Sequence, residues 1–128
     1  MFRIVPERTA WWPVTFPGVT EDGKVVENRI ELRFRILDED EVIEFFEAIA
    51  KVNADAAADR AKAAAARLVP VLRTVVLDWR GVGAANDEPL PFNDENFLKL
   101  LKVPNVSVAI GRAYGACRSA VPELREGN

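Results

Sequence analysis

The chain has 128 residues, 49% of them apolar, with 17 basic against 20 acidic side chains and a net charge of −3. That is about one domain's worth, with enough large apolar residues for a core, so wholesale disorder is excluded. There is no histidine and a single cysteine, Cys117, which removes the usual zinc sites, Ser-His and Cys-His nucleophile pairs and any internal disulfide. The acidic balance argues against nucleic acid as the main partner. No uncharged apolar run reaches the ~18 residues of a membrane span, and nothing resembles a signal peptide. The composition fits a soluble cytosolic domain, and leaves only carboxylates to weigh for acid–base chemistry.

The first third reads as β. Trp12, Val14 and Phe16 alternate, Glu21-Asp22-Gly23-Lys24 supplies a turn, and Ile30, Leu32, Phe34 and Ile36 then share one face. Arg29, Glu31, Arg33 and Arg35 take the other face, the period-2 pattern of an antiparallel strand with one wet side. Pro13 and Pro17 suit an edge strand, because each denies the ladder a donor. Phe2 and Ile4 are placed for a short third strand. Trp11 and Trp12 must point to opposite faces. One of them therefore needs cover from the N-terminal residues or Phe92, or else is an anchor for a partner.

Helical signals begin at Asp38. It caps a helix with Glu41 three residues on, and Leu37 and Val42 stand at staple positions. Val42, Phe45, Phe46, Ile49 and Val52 follow at helical spacing. Of residues 48–66, 11 of 19 are alanine, which raises helix propensity but offers little area to bury. A thin continuation of the helix, partly disordered, is expected there. Pro70 should break or kink the run. Val71, Leu72, Val75, Val76 and Trp79 form a further helical stripe, although Val75-Val76-Leu77 also reads as a strand. A loop from Gly81 to Phe92 follows. Asn93 caps a short helix that ends by Lys102, since Val103 precedes a proline. The last helix starts near Pro104 or Asn105 and carries Val106, Ala109, Ile110, Ala113, Tyr114 and Cys117 on one stripe.

The predicted fold class is therefore α+β in one domain, 1–128. An antiparallel β-hairpin of two or three strands occupies 1–37, about four α-helices occupy 38–122, and 123–128 form a mobile tail.

The carboxylates are weighed first for chemistry. Asp38 to Glu41 serve capping and the helix dipole better than catalysis. Asp87 and Glu88 are too few for a cation site. Gly81-Val82-Gly83 lacks the remainder of either phosphate fingerprint. No catalytic, metal or cofactor residue is assigned. Ser107, Gly111, Gly115 and Ser119 recur at steps of four, a ridge of small residues. Interior glycines each cost a helix about 1 kcal/mol relative to alanine, so something should approach this ridge closely. That neighbour is either another helix of the same domain or a foreign one.

The order Trp79-Arg80-Gly81-Val82, Glu88-Pro89-Leu90-Pro91-Phe92-Asn93, Phe97-Leu98, Leu100-Leu101, Val103-Pro104-Asn105-Val106, Ala109-Ile110 and Arg112-Ala113-Tyr114 resembles tail assembly chaperones. These serve long, flexible-tailed bacteriophages and prophages, lambda-like in type. Trp12-Pro13-Val14 and the strand leading into an acidic helix agree, so the similarity runs from Trp11 to Ala120. The alanine tract lies outside it. The resemblance implies a non-enzymatic protein of the bacterial host cytoplasm that binds the tape measure protein and helps recruit tail-tube protein. It also implies a longer frameshifted form. The alternative is a structural tail completion or head–tail joining subunit. For a chaperone, Trp79, Phe92, Phe97 and Tyr114 are expected to shape a groove with Gly111 and Gly115 on its floor, unless these side chains belong to the core.

Overall fold

In the computed structural model, which describes residues 1–59 and 64–120, the alternating segments form an antiparallel hairpin of β1 (Thr9–Val19) and β2 (Val25–Arg35). Gly23 sits at φ 83°, a left-handed conformation that glycine takes without steric cost, and so closes the turn. Then come α1 (Glu39–Asp59), α2 (Ala64–Leu72), β3 (Val76–Arg80), α3 (Asp94–Leu101) and α4 (Val106–Ser119). β3 pairs antiparallel with β2, giving the order β1-β2-β3. The fold is α+β, and the described residues form a three-stranded sheet with four helices.

The third strand is not the one expected from Phe2 and Ile4, which are 78% and 93% exposed and lie outside any strand. It is the second half of the stripe from Val71 to Trp79, where the strand reading of Val75-Val76-Leu77 holds from Val76 on and the helical one does not. A bulge explains why the segment also looks helical. Arg33 faces Asp78 but Phe34 faces Val76, so Leu77 is an extra residue. The bulge puts Val76 and Trp79, three apart, on the same buried face, and three is also a helical interval. Pro70, expected as a breaker, is tolerated inside α2 two residues before its end. The hydrogen bond it forgoes would have gone to Ala66, which is exposed, so water can take that carbonyl.

Trp12, Val14, Phe16, Ile30, Leu32, Phe34, Val76 and Trp79 form the sheet's buried face and join one apolar cluster with residues from all four helices, including Val42, Phe45, Leu68, Leu72, Phe97, Leu101, Ile110 and Tyr114. The opposite face carries Trp11, half-buried under the Arg80 guanidinium at 3.7 Å. Arg80 also pairs with Glu31 at 3.3 Å. Trp11 thus finds its cover on β3, not among the N-terminal residues or at Phe92.

Both sheet edges carry features that disfavour strand addition. Thr20 N–H donates to Lys24 O at 2.9 Å, which continues the register and makes even-numbered β1 residues the ones bonded to β2. Pro13 and Pro17 are odd, so their missing donors fall on the free edge. The side chain of Asn105 donates to Pro17 O at 3.2 Å on that strand. On β3, Trp79 N–H donates to the Asp78 carboxylate at 2.8 Å, and Val76 O accepts from the Arg73 guanidinium at 3.3 Å.

Both caps form as the sequence indicates. Asp38 Oδ1 accepts from Glu41 N at 2.8 Å, while Glu41 Oε1 accepts from Asp38 N at 3.3 Å. Asn93 Oδ1 accepts from Asn96 N at 2.8 Å, with Phe92 and Phe97 stapled at 5.7 Å between ring centres. Asn93→Ala is expected to lower stability by about 1 kcal/mol in a denaturant titration. An unchanged midpoint would show that the cap contributes nothing. Along α1, from Ala50 to Ala57, only Val52 and Ala56 are half-buried, as a thin continuation requires. The order expected of residues 60–63 and of the 123–128 tail lies outside the described residues. Among those described, no helix is long and apolar enough to cross a membrane.

Candidate functional site

The four aromatic residues assigned to a groove do not share one. Trp79, Phe92 and Phe97 form one cluster, with centroids 5.1 Å apart for Trp79–Phe92 and 6.5 Å for Trp79–Phe97. The Trp79 indole donates to Leu90 O at 2.9 Å, and the Arg73 guanidinium caps Phe92 at 4.6 Å. Tyr114 belongs to a different cluster, meeting Phe34 at 5.1 Å, Phe45 at 5.3 Å and Phe46 at 6.4 Å. Trp79, Phe97 and Tyr114 are buried and Phe92 half-buried, so these side chains hold the core together. The cause is elementary: an apolar aromatic ring is buried wherever the fold has room for it, and spacing alone does not reveal which face that is.

Gly111 and Gly115 behave differently. Apart from the adjoining residues and backbone of α4 itself, no atom of the described residues lies within 4 Å of where a Cβ would stand at either position. The close neighbour expected over the small-residue ridge is absent among the described residues. α4 turns Val106, Ala109, Ile110 and Ala113 into the core and lies against β1, while the Gly111 side faces outward.

At Gly111 the ridge borders a groove of about 360 Å³. α1 contributes Phe46, Ile49 and Asn53, α2 contributes Leu68 and Leu72, and α4 contributes Ser107, Val108, Gly111 and Arg112. Apolar side chains dominate it, Val108 is 72% exposed, and Phe46 is 40% exposed. Phe46, Ile49, Leu68 and Leu72 are missed by sequence reasoning as site residues, because each fits a packing stripe of its own helix. Val108 is the one signal in the sequence: a large apolar residue off the buried stripe of α4.

A second cavity, of about 460 Å³, lies where α1 and α2 meet β2 and is lined by Arg35, Leu37, Glu41, Glu44, Phe45, Ala48, Pro70, Val71 and Thr74. On its charged rim Arg35 pairs with Glu41 at 3.6 Å and with Glu7 at 3.8 Å.

The groups weighed for chemistry have local structural roles. Asp38 and Glu41 cap α1, Gly81 takes φ 83°, and Gly83 bridges to Pro89 in the loop. Among the described residues no group of three or more Asp, Glu, His or Cys is placed to hold a metal ion.

Burial pushes the Cys117 thiol up from 9.0 to about 11. Because the folded value exceeds the unfolded one, the stability linked to the neutral thiol is fully present below pH 9.0 and lost as pH rises through about 11. Native chain should therefore alkylate slowly with iodoacetamide at pH about 8, and denatured chain quickly, as followed by mass spectrometry. Equal rates would contradict the burial.

Comparisons with protein-family models, with curated proteins and with solved structures give no match to this chain.

Proposed function

We propose that this chain is a tail assembly chaperone of a long-tailed bacteriophage or prophage. In this reading it binds the tape measure protein in the host cytoplasm, keeps that long helical protein soluble, helps recruit tail-tube protein around it, and has no enzymatic step. Two things support the reading: the order of residues from Trp11 to Ala120, and above all the open apolar groove beside Gly111.

The groove suits a helix in particular. Small residues let a second backbone approach closely, while Phe46, Ile49, Leu68 and Val108 offer apolar contacts for a stripe at positions i, i+3 and i+4. α4 has 14 residues, about 21 Å of helix, so some four turns of a partner can lie along it. Strand addition is the other common way to bind an extended segment. It is disfavoured here by prolines on one edge and by Asp78 and Arg73 on the other. A helical client is therefore the better fit to this surface.

A chaperone leaves before the particle is complete, whereas a completion or joining subunit stays in it. Mass spectrometry of purified virions from a producing host separates the two. The chain is expected in the lysate and absent from particles. Stoichiometric presence in particles would overturn the chaperone reading.

A further inference from the structure

We infer that the groove selects a helix whose apolar stripe is flanked by carboxylates, with Arg112 as the counter-ion; this rests on the reading of the groove as a helix-binding surface. Among the described residues lining the groove, Arg112 alone is charged. It is exposed, and its guanidinium has no ion-pair or hydrogen-bond partner among the described residues. Arg35, Arg73, Arg80 and Arg118 each meet a carboxylate, whereas Arg3, Arg8, Arg29 and Arg33, which do not line this groove, meet none among the described residues.

Arg112 also stands on the boundary between two depressions. Its other side borders a shallow one, about 210 Å³, lined by Thr15, Phe16, Pro17, Val25, Val26 and Glu27 of the hairpin. Glu27 is the carboxylate of that lining, yet it makes no ion pair with Arg112. A helix laid over Gly111 covers the arginine's stem and leaves its head at the rim. A carboxylate beside the incoming stripe then gains a partner, whereas a lysine there meets like charge in a site losing its water. Charge at this position therefore discriminates between otherwise equivalent amphipathic helices.

The test uses two synthetic amphipathic helices of about 14 residues, the length of α4, with identical leucine stripes. One carries glutamate beside the stripe and the other lysine. Each is titrated with the full chain and read by fluorescence anisotropy. The glutamate peptide should bind roughly five- to tenfold more tightly, with the difference shrinking at high salt. Arg112→Glu should reverse the preference, and circular dichroism should be unchanged because the side chain is exposed. Gly111→Leu should weaken both peptides. Equal affinities, or a preference that survives Arg112→Glu, would overturn the assignment of Arg112. Binding of neither peptide would overturn the choice of helix class. The chaperone reading is judged separately, by virion content and by tape measure solubility.

Discussion

Tyr114→Ala should lower the unfolding free energy by about 4–8 kcal/mol, and Tyr114→Phe by about 1–3 kcal/mol. The ring is fully buried and packs edge-on against Phe34 and Phe45, with interplanar angles of 71° and 64°. Its hydroxyl donates to Arg35 O at 2.8 Å and accepts from Leu37 N–H at 2.9 Å. One side chain thus fixes α4 to the end of β2 and to the entry of α1. Arg118 reinforces the corner, donating to Leu37 O at 3.1 Å and pairing with Glu39. Removing a buried aromatic ring costs about 3–5 kcal/mol, and stranding the Leu37 N–H adds to it. Domains of this size have a total stability of about 5–15 kcal/mol. The phenylalanine variant isolates the hydroxyl. If its denaturation midpoint matched wild type, the tie would carry no energy. Desolvation by burial raises the Tyr114 pKa above 10.0, so the stability tied to the neutral phenol is present below pH 10.0 and lost as pH rises through the folded value.

Gly111→Leu should do the reverse: leave the fold intact and abolish most client binding. Apart from the adjoining residues and backbone of α4 itself, no atom of the described residues lies within 4 Å of the position of the new Cβ. Replacing an interior helical glycine also relieves about 1 kcal/mol of helix cost, so the variant should be no less stable than wild type. Its side chain, however, occupies the space between α4 and the groove wall at Phe46 and Ile49. Overpacking of about 1–3 kcal/mol at a contact corresponds to roughly a 5- to 150-fold loss of affinity. Gly115→Leu, one turn along the same ridge, should act in the same direction. Circular dichroism alongside capture of the tape measure protein gives both readouts. A folded Gly111→Leu chain that captures as well as wild type would remove the groove from the account.

What was legible in the sequence is what local chemistry determines. Alternation placed β1 and β2, the Asp38–Glu41 pair and Asn93 announced their helices, and Pro13 with Pro17 marked the edge strand. β3 was obscured because the bulge at Leu77 gives Val76 and Trp79 a helix-like interval. That bulge arises from pairing with Arg33 and Phe34, more than forty residues earlier, so no local window contains it. The candidate site was half legible. Periodicity identified Gly111 and Gly115 as a ridge, but only packing shows that it faces outward. Trp79, Phe97 and Tyr114 were drawn to the site by their chemistry and went to the core by their size. Phe46, Leu68 and Val108 meet around one groove only because three helices converge, which no single segment encodes.

The soluble fraction of the tape measure protein, expressed with and without this chain, tests the chaperone account most directly. The account predicts an insoluble tape measure protein alone, a soluble one that co-purifies with the wild-type chain, and loss of that rescue with Gly111→Leu. A tape measure protein that is no more soluble in the chain's presence and does not co-purify with it would contradict the account.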